Sequence, residues 1–307
     1  MDLPRPWSDR TGPARVPDCV ALESLYESSL VSITAWRCLY DGRALREERF
    51  FDSPVLTIVH AGASVCHVGK RSYIVEPSRV SFRSPGVPHS TSHPFGCGDY
   101  GVNIGARHRF LREAIARYGG RRDGPVRFPV ATAPAPMRPL LRLRLLVRKL
   151  RSGVPVGSIE AEECLFRFID ESLAAAYGAA PSRLPRAADA ETEKDRERWA
   201  EETRAILFRS YREPLRLEDL GEAVGVSPFH LARVFRAATG VPIHRTLTRV
   251  RLLAALERIA EGETDLTRLA IETGFSSHSH FTATFRREFG ATPSAVRRIP
   301  LPRSPRA

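Results

Sequence analysis

The amino-acid sequence predicts an α+β protein, with a β-barrel in its amino-terminal half and an all-α domain in its carboxyl-terminal third. Short β-prone segments fill residues 24–105, and two amphipathic helical segments follow them. The last third then contains one helical pattern twice. With 307 residues, the chain is long enough for two domains. The predicted boundaries are 1–18 for a flexible tail, 19–135 for the β domain, 136–177 for a helical element, 178–192 for a linker, 193–298 for the all-α domain and 299–307 for a disordered tail.

The amino-terminal segments have the lengths and separations of strands in a barrel or sandwich. Turn residues such as Asp41-Gly42, Gly69-Lys70 and Ser84-Pro85-Gly86 separate runs that are rich in β-branched and aromatic side chains. The predicted strands are residues 30–40, 55–60, 64–68, 72–75, 79–83 and 101–104.

Two amphipathic helices are predicted after the strands. Residues 137–150 and 158–177 each place apolar side chains on one face, and the first carries arginines on the opposite face. Because a short Gly-Pro-containing turn joins them, the two helices can pack as a hairpin that either covers the barrel or forms a dimer interface. Five acidic residues on the second helix argue against binding to an anionic membrane, and no apolar run is long enough to span a bilayer.

The last third repeats a helix, a tight turn and a second helix. Residues 217–240 align with residues 266–290, so that Gly225 corresponds to Gly274. Both glycines stand where such a turn needs a residue that tolerates positive φ. The apolar periodicity predicts that the second helices bury Leu231, Phe235, Phe281, Phe285 and Phe289 and leave their opposite sides free.

The second helix of each copy has the setting of a helix that reads DNA. Ser227 in the first copy, and Ser276 or Ser277 in the second, can cap its amino terminus. A helix held on a small apolar unit fits the DNA major groove, which admits one helix. Residues 243–260 are predicted to form one long helix that sets the separation of the two units. On one face of B-DNA that separation must be about one turn, about 34 Å.

These motifs resemble the DNA-binding domain of the AraC/XylS family of bacterial transcription regulators. The matching residues are Ala270, Gly274-Phe275, Ser279-His280-Phe281, Phe285-Arg286-Arg287-Glu288-Phe289-Gly290 and Pro293-Ser294. The resemblance covers about the last third of the chain. The sequence departs from the family at Gly221, where alanine is usual, and at Val296, where an aromatic residue is usual. We expect Gly221 to loosen its helix slightly.

The resemblance also implies an architecture and a set of partners. The amino-terminal domain is expected to be a cupin-like jelly roll that senses a small-molecule effector or a protein, and Pro85-Gly86-Val87-Pro88-His89 resembles a turn of that fold. Effector occupancy would then shift how the second domain meets a double-stranded DNA operator. A homodimer through the helical element and, for an activator, contact with RNA polymerase are further expectations.

Composition and cysteine usage agree with a DNA-binding protein inside the cell. The formal net charge is +12, and lysine supplies only three of the 47 basic residues. Arginine suits bidentate contacts with phosphate and guanine, although a genome-wide arginine preference explains the composition equally well. Five cysteines form an odd set without paired spacing, and no secretory signal is visible. We therefore expect a cytoplasmic protein without a disulfide scaffold or a zinc ribbon.

The outward residues of the two second helices are the candidate DNA contacts. Arg233 can bond guanine O6 and N7 together, which is worth about 1–3 kcal/mol of discrimination. Phe229 either touches a thymine methyl group or packs at the start of its helix. His278 is the strongest candidate reader in the second unit, which otherwise contributes position and shape. The full set is Phe229, Ala232, Arg233, Arg236, Ser277, His278, Ser279, Thr282, Ala283, Arg286 and Arg287, with the last two expected at phosphates.

The alternative function is a cupin-type metal-dependent enzyme tethered to a nucleic-acid-binding domain. Metal-binding cupins present two histidines one residue apart on a strand, whereas this chain offers adjacent Cys66 and His67, whose side chains point to opposite faces. We therefore interpret these two residues, with His89, His93 and Cys97, as turn and core residues. No catalytic residue, metal or cofactor is expected. An alkylation-responsive thiol protein would need clustered zinc-holding cysteines, and these are scattered.

Overall fold

The computed structural model describes residues 8–9, 20–38, 45–96, 98–121, 123–179 and 190–299, which form two compact units divided between Gly178 and Ala179. The remaining residues of the predicted tails, most of the predicted linker, the Asp41-Gly42 turn, Cys19 and Cys97 lie outside the described residues. All of the described strands lie in the first unit, and the described elements of the second unit are helices.

The first unit is a sandwich of two antiparallel sheets. The strands are β1 (Ser8–Asp9), β2 (Val20–Glu27), β3 (Val31–Cys38), β4 (Leu45–Phe50), β5 (Val55–Ala61), β6 (Ser64–Val68), β7 (Arg71–Val75), β8 (Arg79–Arg83), β9 (His89–Ser92), β10 (Asp99–Ala106) and β11 (Thr132–Pro134). One sheet has the order β1-β4-β9-β6-β7 and the other has the order β11-β8-β5-β10-β3-β2. This arrangement confirms the predicted cupin-like jelly roll.

The six-stranded sheet is buried on both faces. Ile33, Leu56 and Ile104 lie side by side on the face that points away from the other sheet, and they are fully buried. The predicted strands correspond to β3, β5, β6, β7, β8 and β10, while the polar or exposed strands β1, β2, β4 and β9 and the three-residue β11 were not predicted. The sequence of β9, His-Ser-Thr-Ser, has no apolar alternation, and its pairing with β4 and β6 places it in the sheet. Ser8 and Asp9, which lie within the predicted tail, pair with β4.

Three helices complete the first unit. They are α1 (His108–Ala116), α2 (Met137–Arg151) and α3 (Ser158–Ala179), of which α2 and α3 were predicted. The unpredicted α1 packs on α3, since the rings of Phe110 and Phe166 lie 4.6 Å apart and the Tyr118 hydroxyl donates to Asp170 O over 3.1 Å. Both predicted helices bury their apolar faces, with Leu140 and Leu143 of α2 and Leu165 and Phe168 of α3 fully covered.

The prediction that the arginines of α2 all face outward is wrong for Arg144. Its side chain is buried, and Nη2 donates to the carbonyl oxygens of His60 over 3.1 Å and Val59 over 3.4 Å. The ladder between β5 and β10 changes register beside these carbonyls, between Tyr100 and Gly101. A buried carbonyl without a donor is costly, and the guanidinium supplies donors that the ladder does not.

We expect Arg144→Met to lower the free energy of unfolding of the first unit by about 1.5–3 kcal/mol, because the apolar side chain leaves these carbonyls without their charged donor. The matched control is Arg142→Met on the exposed side of α2, which should change stability by less than about 0.5 kcal/mol. Hydrogen exchange of β5 amides in the full chain measures the difference. Equal protection in the two variants would show that Arg144 contributes nothing beyond its apolar stem.

The second unit contains seven helices among the described residues. They are α4 (Ala190–Arg209), α5 (Leu217–Val224), α6 (Pro228–Thr239), α7 (Ile243–Ala260), α8 (Leu266–Glu272), α9 (His278–Phe289) and α10 (Pro293–Arg297). The pairs α5–α6 and α8–α9 are the two predicted helix-turn-helix units, and α7 is the predicted long helix between them. None of the described helices is both long and apolar enough to cross a membrane.

Candidate functional site

A cavity of about 70 Å³ lies inside the jelly roll. Side chains of both sheets line it, including Trp36, Thr57, Arg83, His89 and Asn103. Thr57 Oγ1 donates to Asn103 Oδ1 over 2.8 Å, so part of the polar lining is already hydrogen-bonded. Since a buried water needs about 10–15 Å³ of such space, the cavity has room for several waters or a small organic molecule.

Three of the side chains that were candidate metal ligands by sequence, Cys66, His67 and His89, contact other side chains in the structure. Cys66 Sγ accepts from Arg83 Nη1 over 2.7 Å, and Arg83 also donates to the Tyr73 hydroxyl. His67 lies on the other face of the same strand and contacts Ser72 Oγ and Ser92 Oγ, each over 2.8 Å. The ring of His89 stacks on Phe51. These contacts agree with the interpretation of Cys66, His67 and His89 as turn and core residues.

The first helix-turn-helix unit has the local geometry that the sequence predicts. Gly225 ends α5 with φ of 74°, and the Ser227 side chain accepts a hydrogen bond from the His230 backbone N–H over 3.3 Å. Pro228 occupies the first turn of α6, where no backbone donor is needed. The cap and the left-handed glycine together fix the direction in which α6 leaves the turn.

An apolar cluster supports α6 from behind. Leu231 and Phe235 are fully buried against a cluster that includes Leu207 of α4 and Leu220 of α5. The indole of Trp199 meets the His230 ring edge-on, with ring centroids 5.4 Å apart. Because one side of α6 is covered in this way, its opposite side is the one available to a partner.

That opposite side presents four of the predicted contact residues. Phe229 is 81% exposed, which excludes the interpretation that it packs at the start of its helix. Arg233 and Arg236 are exposed one turn and two turns farther along, and Ala232, directly before Arg233, is partly exposed. Arg233 Nη2 lies 3.4 Å from His230 Nδ1, so its guanidinium lies over the amino-terminal half of α6. An exposed phenyl beside two guanidinium groups suits a surface that meets bases and phosphates.

The second helix-turn-helix unit repeats this construction around three phenylalanines. Ser277, rather than Ser276, is the cap of α9, since it accepts from the His280 N–H over 3.2 Å. Phe281, Phe285 and Phe289 are buried, and the rings of consecutive members lie 5.7 Å and 4.5 Å apart. The buried faces of α6 and α9 therefore confirm the predicted sets.

The exposed side of α9 differs in part from the prediction. Ser279, Ala283, Arg286 and Arg287 are exposed, while His278 and Thr282 are half-buried and contact each other over 3.4 Å. Ser277 already uses its hydroxyl as the cap. The exposed imidazole is that of His280, which sequence reasoning missed and which lies 3.3 Å from Ser276 Oγ. The signal that could have found it is the motif Ser279-His280-Phe281, in which His280 stands between an outward serine and a buried phenylalanine.

The two outward faces carry different chemistry. In the aligned helices, Arg233 of α6 corresponds to Ala283 of α9, and Phe229 corresponds to Ser279. Arg236 and Arg286 occupy the same position and are both exposed. The first helix-turn-helix unit thus offers a long bidentate donor where the second offers a methyl group. Both offer the same positive charge farther along the helix.

Ionic and polar contacts anchor α9 and its turn to α7. Glu288 of α9 is nearly buried between Arg249 and Arg245, at 3.5 Å and 3.6 Å. On α7, Arg251 donates from Nε to Tyr211 O over 2.7 Å and from Nη2 to Glu213 O over 2.9 Å. The turn residue Gly274, with φ of 86°, lies directly against this Arg251–Tyr211 contact. The long helix α7 is therefore attached both to the segment that follows α4 and to the second helix-turn-helix unit.

Gly221 has a packing role in addition to its effect on helix propensity. A Cβ at this position would lie 2.7 Å from Val226 O, so the glycine lets α5 approach the following turn closely. In the second copy the corresponding Ala270 is fully buried and keeps its methyl group. The departure from the family pattern at Gly221 thus accompanies a closer approach of helix and turn in the first unit.

Glu263 organises the corner between α7 and α8. Its carboxylate accepts from the backbone N–H groups of Asp265 and Thr264, each over 2.9 Å, and from Arg268 and Arg258 over 2.9 Å and 2.7 Å. The Asp265 N–H and then the Arg268 guanidinium lower the pKa of Glu263 from 4.5 to about 2. The lowered pKa means that the folded state favours the ionised carboxylate.

We expect the stabilising effect of Glu263 to depend on pH in a defined window. Because its pKa is lower in the folded state, its contribution is complete above about pH 4.5 and is lost as the pH falls towards 2. Hydrogen exchange of the α8 amides in the wild type and in Glu263→Gln measures it. The wild type should be better protected at pH 7, and the difference should shrink steadily below pH 4.5. A difference that stays constant down to about pH 2 would contradict the assigned contacts.

Comparisons with known proteins concern mainly the second unit. A family model described as a helix-turn-helix domain matches residues 220–299. The HTH-type transcriptional regulator GlxA of Rhizobium meliloti is 36% identical over 85 residues, which cover 28% of this chain and 26% of that protein. The HTH-type transcriptional activator RhaS of Escherichia fergusonii is 31% identical over 93 residues, which cover 30% of this chain and 34% of that protein.

Among solved structures, the DNA-binding domain of AdpA in complex with a target DNA is 28% identical, with a TM-score of 0.30, and the match covers 32% of this chain and 88% of that one. The chain thus spans about a quarter to a third of the length of GlxA and RhaS. The residues matched by the family model run from within α5 to the end of α10. The carboxyl-terminal domain is thus a helix-turn-helix domain of the AraC type, as the sequence motifs predict.

Proposed function

We propose that the chain is a transcription regulator that binds operator DNA through α6 and α9 and responds to a small molecule bound in its jelly roll. One observation carries the DNA-binding part: each of these capped helices is fully buried on one side and presents polar, cationic or aromatic side chains on the other. The major groove of B-DNA is wide enough to admit such a helix. In this proposal the jelly roll is a binding domain and has no catalytic role.

The proposed roles within the interface follow from the side-chain chemistry. Arg233 reads guanine through two parallel hydrogen bonds, and Phe229 covers a thymine methyl group. Arg236, Arg286 and Arg287 pair with phosphates and contribute affinity on every sequence. The short side chains of Ser279, Thr282 and Ala283 allow the backbone of α9 to approach the groove floor, and His280 joins this set. His278 has a secondary role, because it is half-buried and contacts Thr282.

The remaining partners belong to the same proposal. The relative RhaS is a transcriptional activator by its name, which supports activation and contact with RNA polymerase for this chain. The cavity between the sheets supports a small effector, and α3 is the helix that we assign to a homodimer contact, because Ile159 on it is 73% exposed. A regulator of this kind acts in the bacterial cytoplasm.

The test is genome-wide mapping of the sites bound by the full chain, followed by fluorescence anisotropy on duplexes carrying those sites. We expect specific binding to be at least about 10³ times tighter than binding to a scrambled duplex at the same salt concentration. A double variant, Arg233→Ala with Arg286→Ala, should lose both specificity and part of the salt dependence. Binding that is equal on all duplexes would contradict a sequence-specific regulator.

A further inference from the structure

We propose that the jelly roll binds one divalent metal ion of the zinc class through Cys38, His93 and Asp99. A thiol, an imidazole and a carboxylate are the three ligand types that zinc accepts in proteins. The potential ligand atoms of these three side chains all lie within 4.8 Å of one another, and the side chains are 5%, 2% and 3% exposed. This proposal concerns the first unit and does not depend on the proposed DNA-binding function.

The spacing of the ligand atoms is close to that of a bound ion. Around a tetrahedral zinc, neighbouring N, O and S ligand atoms lie about 3.3–3.6 Å apart, as the usual bond lengths require. His93 Nε2 and Asp99 Oδ1 are already 3.0 Å apart in a hydrogen bond. Small side-chain rotations that replace this hydrogen bond with two metal bonds would complete the site without moving a strand.

The fold brings the three ligands together from separate segments. Cys38 and Asp99 face each other in the ladder between β3 and β10, while His93 directly follows β9 of the other sheet. Gly62 holds the beginning of β10 in place, because a Cβ there would lie 2.2 Å from Gly98 O and 2.7 Å from the Asp99 Cα. The carboxylate thus starts from a backbone position that tight packing defines.

The fourth coordination position faces the cavity. All three residues line the cavity of about 70 Å³ between the sheets. Three protein ligands and one open position are typical of zinc sites that hold water or an exchangeable ligand, whereas purely structural sites use four protein ligands. The ion would therefore bind a small molecule directly, and a ligand with a carboxylate or another anionic donor would suit it. Arg83 lines the same cavity and adds a second positive charge.

Sequence reasoning weighed His93 as a metal ligand and set it aside as a turn or core residue, and it did not consider Cys38 or Asp99. Adjacent Cys66 and His67 were examined as the strand ligands, and both have other partners in the structure. Cys38 and His93 are 55 positions apart in the chain, and only the pairing of the strands places them together. The site also differs from the paired-histidine pattern of metal-binding cupins, since it contains a single histidine.

The test uses the full chain, stripped of metal by a chelator under reducing conditions and titrated with Co²⁺ as a spectroscopic probe. We expect one Co²⁺ per chain, a thiolate-to-cobalt charge-transfer band in the near ultraviolet, and loss of that band when Zn²⁺ is added. Cys38→Ser should abolish the band and weaken metal binding more than about 100-fold, since loss of a residue that only orients a ligand already costs about 10–100-fold.

Two further variants make the result decisive. Cys164→Ser removes a half-buried thiol of α3 and should leave the band and the affinity unchanged. His93→Gln should weaken Co²⁺ binding while the thiolate band of the remaining complex persists, so the proposal is tested even if Cys38→Ser does not fold. Absence of the band in the wild type at stoichiometric Co²⁺, or a full-strength band in folded Cys38→Ser, would overturn the proposal. Because DNA is not part of this assay, neither result depends on the proposed regulator function.

Discussion

Arg233→Ala is expected to abolish discrimination at one base step of the operator while leaving nonspecific affinity nearly unchanged. The guanidinium is exposed on the outward face of α6, and its bidentate contact with guanine is worth about 1–3 kcal/mol, or about 5–150-fold between the correct and the wrong base. The expected result is therefore a flattened preference at a single position. Anisotropy titrations on a set of duplexes that differ at one base each measure it.

Arg236→Ala is the matched control for this experiment. It removes an equally exposed guanidinium from the same helix, and we place it at a phosphate. Its loss should weaken binding to all duplexes alike and reduce the slope of log K against log salt by about one. If Arg233→Ala also weakens binding to every duplex equally and lowers the salt slope, then Arg233 contacts phosphate, and the first helix-turn-helix unit reads the sequence through other residues.

Gly274→Ala is expected to unfold the second helix-turn-helix unit locally. The residue has φ of 86°, which costs an alanine about 1–2 kcal/mol. Its Cβ would lie 2.9 Å from Tyr211 O and 2.8 Å from Arg251 Nε, which adds about 1–3 kcal/mol for a contact that the backbone cannot easily relieve. The combined loss of about 2–5 kcal/mol should expose the amides of α8 and α9 to hydrogen exchange and abolish operator binding by that unit.

Gly240→Ala separates the two contributions. Gly240 also has positive φ, 74°, but a Cβ there meets no atom within 4 Å. It should therefore cost only the backbone term of about 1–2 kcal/mol and leave exchange in α8 and α9 nearly unchanged. If the two substitutions increase hydrogen exchange in α8 and α9 equally, then the close contact of Gly274 with Arg251 and Tyr211 has no energetic role.

The helix-turn-helix units were predictable because local interactions determine them. The left-handed glycines, the Ser227 cap and the buried faces of α6 and α9 follow from periodicity and from residues within one or two helical turns. The sequence left open whether Ser276 or Ser277 caps α9 and whether Phe229 packs at the start of its helix. The structure shows Ser277 as the cap and Phe229 as exposed, and His280 is more exposed than His278.

Features of the jelly roll that depend on distant residues were not predictable. Burial of Arg144 follows from carbonyls on β5 beside a register change, and its own helix contains no sign of it. Strand β9 has no apolar alternation. Its pairing with two neighbouring strands, and not its own sequence, places it in the sheet. Cys38, His93 and Asp99 come together only through the pairing of β3 with β10 and the position of β9, which no spacing along the chain encodes.

The spacer helix α7 supports the central claim that two recognition helices bind successive major grooves on one face of the duplex. Its 18 residues span about 27 Å at the rise of an α-helix, and Arg251 and the Glu288 ion pairs attach it to the elements on either side. A rigid attachment of this kind would fix the distance between the two grooves that are read.

Hydroxyl-radical footprinting of the full chain on its operator tests this claim most directly. The account predicts two protected segments centred about 10–10.5 base pairs apart on the same face of the duplex, one of which weakens in Arg233→Ala. A single protected segment, or two segments on opposite faces, would contradict it.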